Sequence, residues 1–227
     1  MNAPKNALLL IGSAKKPGAS ASEALGGYLV RQLAARGQAS ETRYVARTMR
    51  SESRIGELLA AVERADVFVL AFPLYVDSLP YLVTKALERI AESRQGQSAE
   101  GAAQFVAIVN SGFPEAVHNQ TALAICRQFA KEAGFRWAGG LALGGGAPFS
   151  GKPLEEAGGM AHKVIAALDT AAAALAQGQP IPDDAVAALA NPVMSPRFYT
   201  LMGGMGWRLE GLRNGVYRQL RARPFAS

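Results

Sequence analysis

Ala7-Leu8-Leu9-Leu10-Ile11 is a continuous apolar run that stops at Gly12 and opens into Ser13-Ala14-Lys15-Lys16-Pro17-Gly18-Ala19-Ser20-Ala21-Ser22-Glu23. A short run without polar alternation suits a strand buried on both faces, as in a parallel sheet covered by helices. Beyond it Leu25, Tyr28, Leu29 and Leu33 share one helical face, and Ser20-x-x-Glu23 is a capping box that opens that helix. The same strand–turn–helix rhythm recurs. Val67–Ala71 stops at Pro73, Phe105–Val109 stops at Asn110-Ser111-Gly112, and Leu141-Ala142-Leu143 stops at Gly144-Gly145-Gly146. Thr42-Arg43-Tyr44-Val45-Ala46 alternates instead, which places it at a sheet edge. Helical stripes fill the intervals: Ile55, Leu58, Leu59 and Val62; Val83, Ala86, Leu87 and Ile90; Ala122, Ile125, Cys126, Phe129 and Ala133; Met160, Val164, Leu168, Ala171 and Leu175. The alternation predicts an α/β protein with a doubly wound five-stranded parallel sheet.

The composition bounds the chemistry. With 227 residues, 49% of them hydrophobic, the chain can bury a core, which excludes global disorder. One cysteine, Cys126, excludes an internal disulfide framework and any iron–sulfur or zinc site built from several thiolates of this chain. Met1 to Ile11 has neither a basic n-region nor a cleavage pattern, and no stretch approaches the about 18 apolar residues of a membrane span. The expected compartment is the reduced cytoplasm.

The net charge of +6 is unevenly placed. Six arginines against Glu210 give residues 191–227 a net +5, which leaves +1 for the rest. The basic character therefore belongs to a C-terminal segment, and total charge does not argue for nucleic acid. Residues 1–178 are expected to form the α/β domain, 179–196 a Pro-rich connector, and 197–227 a basic amphipathic helical extension. In that extension Met205, Leu209, Leu212, Val216 and Leu220 share a face, with Arg208, Arg213, Arg218 and Arg221 beside it and Phe198, Trp207, Tyr217 and Phe225 as aromatics. Such a helix can pack on its own domain or a dimer mate, or dock an anionic membrane surface. Its arginines are not aligned in one stripe, so no nucleic-acid partner is expected.

In an open parallel sheet the ligand lies beyond the carboxyl ends of the strands, where strand order reverses. In the order 2-1-3-4-5 the first, third and fourth strands are adjacent, and the loops that leave them would form one cleft. The first loop joins hydroxyls and lysines to a helix N-terminus, a setting that suits phosphate; on its own it also fits an ordinary capped turn. No Gly-Lys-Ser/Thr ends it, and it lacks Gly-x-Gly-x-x-Gly, which disfavours a Walker or dinucleotide fingerprint. The second loop, Pro73-Leu74-Tyr75-Val76-Asp77-Ser78-Leu79-Pro80, and the third, Asn110-Ser111-Gly112-Phe113-Pro114-Glu115, each combine an aromatic ring with backbone amides. A flat heteroaromatic ligand needs that mixture, although Tyr75 or Phe113 taken singly reads first as a plug of its loop onto the core.

Taken together, the loops resemble the flavodoxin-like NAD(P)H-dependent FMN reductase family. The matching pieces are Gly12-Ser13…Ser20-x-Ser22, Ala65-Asp66…Pro73-Leu74-Tyr75, Leu82–Arg89, Asn110–Glu115 and Gly134…Gly139-Gly140, over roughly residues 5–175. The resemblance implies non-covalent FMN, NAD(P)H as reductant and a homodimer. It implies phosphate contacts from Ser13, Lys15, Ser20, Ala21 and Ser22, and isoalloxazine contacts from Pro73, Leu74, Tyr75, Val76, Asn110, Ser111, Gly112 and Phe113. Lys15 and Lys16 stand where an arginine is common, and Pro17-Gly18 lengthens the loop. The implied activity is electron transfer from NAD(P)H through FMN to a quinone-like or other small acceptor. The cofactor carries that chemistry, so no side chain is named as catalytic acid or base. The other hypothesis is a flavin-binding electron carrier or interaction protein with little turnover of its own, which docks a partner or a membrane through its basic C-terminal segment.

Other candidates carry less. Cys126 sits on an apolar stripe and reads as a buried small hydrophobe. His118 and His162 have no metal-ligand spacing, and no Gly-x-Ser-x-Gly elbow marks a serine hydrolase.

Overall fold

The computed structural model describes residues 5–98 and 101–223. Phe225, the first four residues of the expected 1–178 domain and the end of the expected 197–227 extension lie outside them. The elements are β1 (Asn6–Ile11), α1 (Ala21–Ala34), β2 (Ala39–Tyr44), α2 (Val45–Thr48), α3 (Glu52–Arg64), β3 (Val67–Pro73), α4 (Tyr81–Ser93), β4 (Gln104–Asn110), α5 (Gln120–Glu132), β5 (Arg136–Leu143), α6 (His162–Ala176), α7 (Asp183–Ala190) and α8 (Pro196–Arg213). The strands form one parallel five-stranded sheet in the order β2-β1-β3-β4-β5, the flavodoxin-like arrangement.

Side-chain alternation along each strand divides the core. Ala7, Leu9, Ile11, Val67, Val69, Val106 and Ile108 point to a face covered by α1, α6 and α7. Leu8, Leu10, Phe68, Leu70, Phe105 and Val109 point to the face covered by α3, α4 and α5. Helices on both faces explain why the central strands are apolar without interruption. The second face is aromatic. Phe105 lies 5.1 Å from Phe68 and 5.2 Å from Phe129, the spacing at which tilted and edge-on rings attract. Arg94 closes it, with its guanidinium 4.2 Å over the Phe135 ring, Nη1 donating to Glu63 at 2.7 Å and Nε to the Ala133 carbonyl at 2.9 Å.

Several boundaries differ from the sequence reading. The edge strand is Ala39–Tyr44, because Val45 turns inward, buried, to begin α2. β5 starts at Arg136, with a register shift opposite Phe105/Val106 and Gly139 at φ +144°. That irregularity hides the front of the strand from any periodicity test. Ile125 and Met160 are exposed, off the stripes to which spacing assigned them.

The Pro-rich stretch 179–196 contains α7. Its Ala185 and Leu189 are buried in the α1/α6 core, and Ile181 donates its amide to the Ala138 carbonyl at 2.7 Å. Residues up to Val193 form one compact unit, and those from Met194 a second.

Within the second unit α8 stops at Arg213. The Gly215 amide donates to the Leu212 carbonyl and the Val216 amide to Gly211, with Gly215 at φ +68°. This is a Schellman stop, and glycine supplies the left-handed residue it needs. The turn at Tyr217–Gln219 then returns Leu220 to Gly211. Val216 and Leu220 therefore leave the helical face on which a continuous helix would place them.

Candidate functional site

The loops after β1, β3 and β4 leave the same edge of the sheet, and backbone bonds carry the ladder into each. Gly12 N–H donates to the Ala71 carbonyl at 2.7 Å, Leu74 N–H to Asn110 at 2.8 Å, and Ser111 N–H to Leu143 at 3.0 Å. Gly12 is required there, because a Cβ would come within 2.5 Å of the Phe72 Cβ.

In the first loop Ser20 is the N-cap of α1, and its Oγ accepts the Glu23 amide at 3.1 Å. The other half of the capping box is not made. The Glu23 carboxylate reaches back to the Gly18 amide at 2.6 Å and accepts the Tyr44 hydroxyl, so it closes the loop instead. Burial and this carboxylate push the Tyr44 phenol up to about 12. The Ser13 Oγ accepts the Lys15 amide at 3.3 Å. Ser13 and Ser20 thus use an oxygen lone pair locally and keep a hydroxyl proton for an anion. The amides of Ala21 and Ser22 belong to the first turn of α1, where no intrahelical acceptor exists. Together with the Lys15 ammonium they make a donor set fitted to phosphate.

The second loop folds into a tight turn. Tyr75 and Ser78 exchange backbone bonds of 3.0 and 3.1 Å, with Val76 at φ +47° and Asp77 at φ +61°. The third loop is tied to the first by the buried bond from Ser22 Oγ to Asn110 Oδ1, 2.7 Å, across 88 residues of sequence. Its Ser111 Oγ donates to the Phe113 carbonyl at 3.3 Å. Nothing stands within 4 Å of where a Gly112 Cβ would be, so a flat ring could approach the backbone there.

These loops enclose one cleft of about 240 Å³. Ser13, Lys15, Ser20, Ala21, Ser22, Pro73, Leu74, Tyr75, Asn110, Ser111 and Gly112 line it. Two of the expected site residues do not. Val76 stands at the turn tip, 97% exposed, and Phe113 turns to stack on His118 with ring centroids 4.5 Å apart. The cleft also has a wall that the sequence reading did not assign, Gly146, Ala147 and Ser150 from the loop after β5. Gly146 N–H bonds the Ser111 carbonyl at 3.0 Å, and Gly145 N–H bonds Phe113 at 2.7 Å. The available signal was Gly144-Gly145-Gly146, another strand end on the same edge of the sheet.

Burial pushes the Cys126 thiol up to about 12, so it packs and is not poised as a nucleophile. Among the described residues no cluster of His, Cys, Asp or Glu could hold a metal ion, and no helix is long and apolar enough to cross a membrane.

No family model and no curated protein matches the sequence. Solved structures match its fold. An NADH:FMN oxidoreductase in its apo form has a TM-score of 0.59 at 16% identity over 86% of this chain and 98% of its own. The NAD(P)H:quinone oxidoreductase of Methanothermobacter marburgensis has a TM-score of 0.53 at 15% identity, covering 76% and 98%. A Streptococcus pneumoniae flavodoxin has a TM-score of 0.52 at 13% identity, covering 76% and 99%. At such identities the shared property is the flavodoxin-like fold.

Proposed function

We propose that the chain is an FMN-dependent oxidoreductase that takes electrons from NAD(P)H and passes them to a quinone-like or other small acceptor. The observation that carries the proposal is the cleft, in which a phosphate-type donor set at the start of α1 faces a slot between Leu74-Tyr75 and the side of Gly112 where no Cβ stands. The names of the similar oxidoreductase structures support it.

The residues divide by task. Ser13, Ser20, Lys15 and the Ala21 and Ser22 amides hold the phosphate. Leu74 and Tyr75 shield one side of the ring from water, and Asn110–Gly112 bound the other. The Ser22–Asn110 bond keeps the two walls in register. When bound, FMN supplies the hydride-accepting and electron-relaying chemistry. A second copy of the chain belongs to the proposal, and light scattering is expected to give about twice the 23.9 kDa chain mass. A flavin-binding electron carrier is the second reading, favoured by the flavodoxin among the similar structures.

The purified protein is expected to be yellow, or to take up FMN with FAD bound more weakly. Replacing Ser13 and Ser20 together by Ala should weaken FMN binding by roughly 1–3 kcal/mol, the scale of lost hydrogen bonds to a charged group. Ser51→Ala removes the corresponding N-cap of α3 and controls for helix stability alone. Unchanged FMN affinity in the double variant overturns the phosphate assignment. Steady-state NAD(P)H oxidation with quinone or dye separates enzyme from carrier, since a carrier would turn over no faster than free FMN.

A further inference from the structure

We propose that α8 is an interfacial helix that docks the protein on an anionic lipid surface. At 3.6 residues per turn, Phe198, Leu201, Met202, Met205, Leu209 and Leu212 all fall within one arc of about 100°. Arg197 and Arg208 border that arc on one side and Arg213 on the other. Gly203, Gly204, Gly206 and Gly211 lie on the rest of the surface, along with Tyr199, Thr200, Trp207 and Glu210. The unit's own turn packs away from the arc, where Leu220 lies on Gly211. The unit itself therefore gives the six large apolar side chains no cover, and each is exposed.

The charge selects the occupant. From Met194 onward the only carboxylate side chain is Glu210, which pairs with Arg213 at 3.2 Å. The other five arginines have no acidic side chain to pair with among the described residues of their unit. An anionic bilayer satisfies both features together. The arc enters the boundary between headgroups and acyl chains, while the bordering arginines lay their stems along it and hold their guanidiniums in the phosphate layer. A nucleic-acid backbone would take the arginines but offers nothing to six large apolar side chains. Four glycines weaken the helix in water, so burial of the arc should add helix content.

This proposal stands apart from the flavin proposal, and its test is run with and without added FMN so that either can fail alone. Full-length protein is sedimented with sucrose-loaded vesicles of phosphatidylcholine, or of equal parts phosphatidylcholine and phosphatidylglycerol. Sedimentation is expected with the anionic vesicles at low salt only, accompanied by a gain in helical circular dichroism. Met205→Asp with Leu209→Asp should abolish it. Arg197→Gln with Arg208→Gln keeps the arc and should lower partitioning about fivefold per arginine removed. Near-ultraviolet circular dichroism checks that the body of each variant is folded. Wild-type protein that stays in the supernatant with anionic vesicles at low salt overturns the proposal. So does binding that the two aspartates leave unchanged. Arginine-dependent binding to duplex DNA without vesicle binding assigns the segment to nucleic acid instead.

Discussion

Tyr28 and Tyr44 show how single residues set a pH limit on the fold. Tyr28 is buried on α1 and its hydroxyl donates to Asp169 Oδ1 on α6 at 2.9 Å; Tyr44 donates to Glu23. Burial first, and then the neighbouring carboxylate, raise both phenols from 10.0 to about 12. A group with a raised folded pKa contributes stability that is whole below its unfolded value and lost as pH climbs through the folded one. Stability should therefore fall between about pH 10 and pH 12, and Tyr28→Phe with Tyr44→Phe should flatten that fall while costing about 1 kcal/mol per lost hydrogen bond at neutral pH. Urea midpoints across that range check it, and an unchanged alkaline slope in the double variant would show that these phenols are not responsible. At this scale the sequence displayed the tyrosines but not their partners. Asp169 is 141 residues from Tyr28, and only packing of α1 on α6 brings it near.

Among the elements, the turn after β3 is the strained one. Its two central residues, Val76 and Asp77, both have positive φ, the conformation of a type I′ turn that Asn-Gly adopts readily. A β-branched residue there works against its own Cβ, at a cost of roughly 1–2 kcal/mol. Val76→Asn is expected to stabilise the protein by about 1 kcal/mol, a rise of roughly 2–4 °C in melting temperature for a chain of this size. A fall would mean that the exposed valine makes a contact in solution worth more than the strain. Pro73 and Pro80 mark this loop in the sequence, but its handedness is not written there. Reciprocal bonds between Tyr75 and Ser78 impose it, and Val76 has no preference for it. Helix ends read more easily. Ser20 caps α1 where the sequence places the cap, because capping is a bond between residues three apart.

For the molecule as a whole, both core clusters are built from residues no later than Leu189, apart from the partly buried Val193. A chain ending after Val193 is therefore expected to keep its fold, its melting temperature within a few degrees, and any FMN it binds. It should lose vesicle binding if α8 provides that binding. Calorimetry and vesicle sedimentation on the shortened protein test both statements. Collapse of the body on truncation would show that α8 carries core packing instead.

The amino-acid pattern alone determined the class of this protein. Continuous apolar runs this short, bounded by Gly, Pro or Asn, suit strands covered on both sides, and helical stripes between them leave the alternating α/β order, so the parallel sheet follows from burial that each segment displays locally. The cleft follows partly in the same way, because strand ends announce themselves with Gly12, Pro73 and Asn110-Ser111-Gly112. Tertiary structure decided the rest. It joined Ser22 to Asn110 and Gly146 to Ser111, brought the loop after β5 into the wall, and turned Phe113 and Val76 away from it. It drew α7 from the Pro-rich stretch onto the core. Those outcomes depend on which distant groups meet once the strands have found their order, and periodicity within a segment does not contain that information.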